Sequence, residues 1–305
     1  VDKKSKGYFA LLVTSFFWGT TWIVSKIGIS EIPPLQMSAI RQLIAASIIL
    51  IFFLGVKKIP LPNLKQLIWL IIMGFLMFVF ANGFSTWSLQ YIPAGLSTLI
   101  GALYPLTVVI IERLFFKAKK MTALTLVGFL LGIIGIAVVF SEHLFHKENI
   151  NFYFGSLLSF IAMLSWSFAT IFTKKNAMNL DPYYSLGWQM LVGSLVLFIL
   201  AKANGPLLPL QLISLKVWMA IAYLVVLGSI VSFTAFIYSM KKLPVAIASL
   251  YAYINPLVAM ILAYYIIDEK LTFNILWGAI ITLLGVFLVN YSIKKNSKDT
   301  LPKAE

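Results

Sequence analysis

The chain carries one set of residues twice, roughly 150 positions apart, and that duplication limits what it can fold into. Gly7, Trp18, Lys26 and Pro34 recur 148 positions later as Gly155, Trp166, Lys174 and Pro182. Pro93 and Pro105 recur at an offset of 151 as Pro244 and Pro256, and Thr122, Gly128 and Gly135 recur at 150 as Thr272, Gly278 and Gly285. Each copy holds five long apolar segments. An odd number of crossings per copy sends the second copy through a membrane in the opposite sense, the inverted-repeat plan of alternating-access carriers.

Composition agrees with a membrane setting. Of 305 residues, 61% are hydrophobic and 11% charged, against about 25% charged in an ordinary soluble domain. The net charge of +14 could suggest nucleic acid, but the basic residues sit in short clusters between apolar segments. That is a topological pattern, and no nucleic-acid partner is expected. Without cysteine there is no disulfide, thiolate nucleophile or cysteine-bound metal.

A helix needs about 20 apolar residues to cross a hydrocarbon core. That ruler places ten spans near residues 8–28, 35–55, 67–88, 94–115, 122–141, 153–173, 183–201, 216–238, 245–266 and 272–292. The first follows Lys3, Lys4 and Lys6 and reads as a retained helix, since no small-x-small cleavage site follows it. The expected fold is an all-α polytopic membrane protein of ten transmembrane helices, with a first five-helix repeat over 1–145 and a second, inverted one over 146–305. With the N-terminus placed in the cytoplasm, 18 of the 24 basic residues fall in cytoplasmic segments. Only Lys147, Lys202, Lys216, Lys270 and, at a span edge, Lys26 fall outside, and Arg41 lies within a span. The bias puts both termini in the cytoplasm. Loops are short, and the connection that joins the halves carries His143 and His146, which read as solvated loop residues rather than metal ligands; no metal is expected.

Three stretches carry a family resemblance. They are Trp18-Gly19-Thr20 with Lys26, Pro33-Pro34 followed by Arg41 and Ala45-Ala46, and Ile254-Asn255-Pro256 leading to Asp268-Glu269-Lys270-Leu271-Thr272, Gly278 and Gly285. In this order the chain resembles the EamA family of the drug/metabolite transporter superfamily, along nearly all its length. The resemblance implies a ten-helix carrier with a central cavity between the halves, often exporting amino acids or related metabolites across a bacterial inner membrane, and it places the fifth and tenth helices on the outer or dimer-facing side. It implies a small-molecule substrate, lipid around the protein, no cofactor and a possible homodimer. Two positions depart from repeat symmetry: Lys119 stands opposite Glu269, and Gln189 opposite Arg41.

Polar residues inside spans are the candidate substrate contacts. Arg41 lies about six residues into its helix, roughly 9 Å below the outer surface at 1.5 Å per residue. Two roles fit it: a bidentate anchor for a carboxylate or phosphate, or a structural guanidinium that ties helix ends. Lys26 and Lys174, near opposite interfaces, suit structure or gating more than substrate reading. Asn82, Tyr104, Gln189, Tyr251, Asn255 and the repeat-related Trp18 and Trp166 complete the proposed cavity lining, with helix packing as the plain alternative. Pro105 and Pro256 free backbone carbonyls at matched depths and are the expected hinge. Trp87, Tyr91, Tyr264 and Tyr265 are expected in the interfacial belt. The resemblance adds one expectation: distant four-helix relatives in that superfamily exchange protons against cationic drugs on a first-helix carboxylate. The corresponding stretch Leu12–Phe17 has none, which disfavours that activity and favours zwitterionic or anionic cargo. Sugar phosphates, nucleosides or drugs remain alternative cargo. A channel also uses cavities, whereas an intramembrane enzyme would need a nucleophile, base or metal set that the spans lack.

Overall fold

The structure is a computed structural model that describes residues 3–116, 122–144, 150–175, 178–243 and 250–298. Its helices, in chain order, are α1 (Lys3–Gly28), α2 (Pro34–Val56), α3 (Leu64–Ser88), α4 (Ala94–Phe115), α5 (Ala123–Leu144), α6 (Ile150–Lys175), α7 (Pro182–Asn204), α8 (Leu215–Lys242), α9 (Tyr251–Ile266) and α10 (Phe273–Lys298). Among the described residues nine helices are long and apolar enough to cross a membrane, and α9 is a shorter apolar helix. The expected start of the ninth span, at 245–249, lies outside the described residues, as do His146, Lys119 and Pro244 and the side chains of His143 and Lys174.

Helix starts follow local chemistry. Asn63 accepts from Gln66 N at 2.9 Å while the Gln66 side chain accepts from Asn63 N, a reciprocal cap that opens α3 three residues before its apolar run. Asp181 Oδ1 accepts from Tyr183 N and Tyr184 N at the head of α7, beside Pro182 at the first helical position.

The inverted symmetry is visible in which helices touch. The pair α2–α7 packs together, as does α5–α10; α1 packs on α8 and α9, and α6 correspondingly on α3 and α4. Glycines set the α5–α10 spacing. A Cβ on Gly128 would stand 2.6 Å from Gly285 O, and one on Gly278 would stand 2.6 Å from Gly135 O. Since Gly128 corresponds to Gly278 and Gly135 to Gly285, each contact is the other's repeat image across an antiparallel pair. Small residues let these backbones approach where no hydrophobic force drives helices together in lipid. The outer faces of the pair, including Leu126, Leu130, Ile133, Trp277, Leu284 and Phe287, are exposed and apolar, a surface suited to lipid rather than water.

Backbone irregularities also recur. A π-helical stretch runs through Phe75–Gly83 in α3 and another through Leu224–Val231 in α8, at matching repeat positions. The helix α4 breaks at Ala102–Leu103, just before Pro105, whereas α9 runs unbroken through Pro256.

Candidate functional site

Between the repeats lies a cavity of about 160 Å³. Seven of the expected residues line it: Trp18, Arg41, Asn82, Tyr104, Trp166, Tyr251 and Asn255. Gln189 does not. An inverted repeat places the partner of Arg41 at the opposite depth, because Arg41 is seven residues past the start of α2 and Gln189 seven past the start of α7. Most of the lining residues fall toward one membrane face, with 18–25 late in α1, Arg41 early in α2, 77–89 late in α3 and 97–104 early in α4, while Trp166, Phe233 and Tyr251 close the deep end. The cavity therefore sits in the half nearer the 29–33, 89–93 and 267–272 connections, out of reach of Gln189. Of the two prolines, Pro256 lines the cavity and Pro105 does not.

An aromatic cluster forms the deep end. Trp18 and Trp166, repeat images of one another, meet edge to face with centroids 5.9 Å apart, so the pseudo-twofold axis passes between them. Phe233 and Tyr251 pack on Trp18 at 5.1 and 5.2 Å, and Tyr251 stacks on Tyr104 at 5.8 Å. Their polar atoms are anchored: Trp18 Nε1 donates to Gly228 O in the π-helical stretch of α8 at 3.2 Å, and Trp166 Nε1 donates to Tyr251 OH at 3.1 Å. The ring faces are thus fixed in place before any ligand arrives.

Charge is distributed one-sidedly. Arg41 is 4% exposed, and its Nε donates to Ser229 Oγ at 3.0 Å. Gly228 leaves room for the guanidinium, since a Cβ there would lie 3.2 Å from an Arg41 Nη. Among the described residues no acidic side chain lines the cavity and none pairs with Arg41. A buried guanidinium has five N–H donors to satisfy, and an unpaired charge at this depth is costly. The wall also carries hydroxyls that sequence reading overlooked. Ser97 and Ser159 line the cavity and bond each other, and both bond Ser88 behind the wall, with Ser88–Ser97 at 2.9 Å and Ser159–Ser88 at 3.0 Å. Thr21, Trp22 and Ser25 were equally missed; they stand three, four and seven residues after Trp18, on one helical face.

Lys26 stands outside the lining. Its Nζ donates to Leu89 O and, at 3.0 Å, to Ile92 O, where α3 gives way to α4. Glu269 answers from the second repeat: its carboxylate accepts from Ala94 N at 2.8 Å and Gly95 N at 3.2 Å. A cation at a helix end rich in carbonyls and an anion at a helix start both follow the peptide dipole. Asp268, with φ 53°, supplies the left-handed turn after α9 that brings Glu269 there. Of the expected belt residues, Tyr264 and Tyr265 are exposed. Trp87 instead packs on Phe84 and Phe154, with its indole nitrogen buried and unpartnered.

Paired five-helix halves around a polar, aromatic-walled cavity define a multi-pass membrane transporter. The model of the EamA-like transporter family matches residues 5–141 and 153–291, one match per repeat, and the chain belongs to that family. It is 31% identical over 283 residues to the uncharacterized inner membrane transporter YedA of Escherichia coli K12, covering 92% of this chain and 89% of that protein. It is 24% identical over 286 residues to the uncharacterized transporter YoaV of Bacillus subtilis, covering 93% and 97%. A crystal structure of a protein 15% identical in sequence superposes with a TM-score of 0.65 over 94% of this chain and 96% of that one, which establishes the shared fold.

Proposed function

We propose that this protein is a secondary carrier that exports small zwitterionic or anionic metabolites, amino acids foremost, across a bacterial inner membrane by alternating access. Both termini are then cytoplasmic, as the Lys and Arg bias requires. The observation that carries the cargo reading is Arg41: a buried guanidinium facing a cavity without carboxylates is the complement of a carboxylate. Neutral hydroxyls, the Asn255 amide and the faces of Trp18 and Trp166 are left to take an ammonium group, the last by cation–π attraction. A cavity of about 150 Å³ holds a benzene ring, so a volume of about 160 Å³ is enough to admit a small amino acid. Trp18, Arg41, Asn82, Tyr104, Trp166, Tyr251 and Asn255 contact the cargo in this scheme, and the matched irregularities of α3 and α8, with Pro105 and Pro256, take up the rearrangement between states.

Counterflow in proteoliposomes tests it, with one unlabelled amino acid loaded at a time. At least one labelled amino acid accumulates saturably, and Arg41→Ala abolishes accumulation while leaving folded protein in the membrane. Undiminished accumulation by Arg41→Ala contradicts the anchor, and the absence of accumulation with every amino acid contradicts the cargo. Sidedness is checked separately in this cysteine-free chain: a single cysteine replacing Lys58 is expected to react with impermeant thiol reagent only from the cytoplasmic side, and one replacing Ser30 only from the other.

A further inference from the structure

We propose that Gln42 is a positioning residue that locks Asn82 into the role of hydrogen-bond donor, so that the Arg41 end of the cavity selects acceptor-bearing anionic groups. This rests on the reading of the cavity as the cargo site. Gln42 follows Arg41 in α2, turned about 100° around the helix from it, and is 1% exposed. Its Nε2 donates to Phe78 O at 3.1 Å and to Asn82 Oδ1 at 3.2 Å, both in the π-helical stretch of α3.

The main-chain carbonyl decides the orientation of both amides. A carbonyl oxygen only accepts, so the reversed Gln42 amide would press Oε1 against Phe78 O. With Nε2 held there, Asn82 must answer with its oxygen. Its Nδ2 is the atom left to face the cavity that Asn82 lines. The Arg41 guanidinium and the Asn82 amide, both in the lining, are then both donors. The fold tolerates a defect to keep the arrangement: Gln42 Oε1 is buried without a partner, which costs stability that an apolar side chain of the same shape would not. Gly193 of α7 makes the space, since a Cβ there would stand 2.6 Å from Oε1. Asn255, the other amide in the lining, behaves differently. Among the described residues its Oδ1 has no partner, so no main-chain carbonyl answer of the Gln42 kind is seen to orient it.

Side-chain amide exchange in asparagine-labelled protein, followed by NMR in nanodiscs, tests the lock without any cargo; the Asn82 signal is assigned by its loss in Asn82→Ser. In the wild type the Asn82 NH2 group exchanges freely with water. In Gln42→Met the Asn82 amide is released to turn Nδ2 onto the vacated Phe78 carbonyl, and exchange slows about tenfold, the worth of one hydrogen bond. Protected exchange in the wild type, a measurement that needs no variant to fold, overturns the proposal, and so does an unchanged rate in folded Gln42→Met. For an amino acid carried by the wild type, Asn82→Asp keeps an acceptor for Gln42 but presents an acceptor to the cavity. Its KM is then expected to rise about tenfold, again one hydrogen bond's worth, and an unchanged KM counts against the donor role. If no amino acid is carried, the cargo reading has failed, and the exchange measurement still decides the lock.

Discussion

Arg41 shows what a single sequence can and cannot yield at the scale of a residue. A lone arginine inside an apolar span announces itself, and so do an asparagine and repeat-related tryptophans, because each is costly or conspicuous in hydrocarbon. Serines and threonines do not. Thr98 donates to Ala94 O at 3.1 Å and Ser167 to Met163 O at 2.9 Å, so each satisfies itself on its own helix and looks the same facing lipid or cavity. Gln189 stands outside this cavity for the opposite reason, since repeat equivalence preserves depth from the starting face and so inverts depth in the membrane. One residue outside the spans yields a pH expectation. Glu31 is held below the usual carboxylate range chiefly by the Ser214 hydroxyl and then by Lys216, whose Nζ lies 3.1 Å away. A depressed carboxylate pKa adds stability above the unfolded-state value near 4.5, and that stability is lost as pH falls through the folded value. Thermal melts of the wild type between about pH 6 and pH 3 should fall more steeply than those of Glu31→Gln, and parallel curves would remove the tie.

At the scale of elements, hydropathy placed the spans to within a few residues, as α1, α2, α4 and α7 illustrate, because lipid demands continuous apolar length. The π-helical stretches of α3 and α8 were invisible. Shifting a backbone bond by one residue leaves composition untouched and disturbs the apolar pattern too little to read. The clamp on the α3–α4 connection was half visible: the charges of Lys26 and Glu269 could be seen, but not the carbonyls and amides they serve. Removing Lys26 strips a donor from two main-chain carbonyls, whereas Glu269→Gln keeps one of the two accepting oxygens and turns an NH2 donor toward the other N–H, so that it loses the charge and one hydrogen bond. Lys26→Met, which leaves two carbonyls unanswered, is therefore expected to destabilise by about 1–3 kcal/mol, and Glu269→Gln, which leaves one N–H unanswered and removes the charge, by less, about 1 kcal/mol. Thermal unfolding in detergent would rank the two, and the reverse order would show that the carboxylate is the principal support.

On the scale of the whole molecule, the duplication was the most legible feature, whereas which helices pair across the pseudo-twofold axis was visible only in the structure. The off-centre position of the cavity was not foretold, because it is a state of the packing rather than a property of the repeat. The cavity is also where the account of function can be tested most directly. Ser85 lines it from α3, is partly exposed, and can be replaced by cysteine at little cost in a chain that otherwise has none. Counterflow of an amino acid that the wild type carries should survive in Ser85→Cys and stop once a bulky thiol reagent is attached, with excess cargo slowing the attachment. Transport that continues at full rate through fully modified protein would mean that cargo does not pass through this cavity.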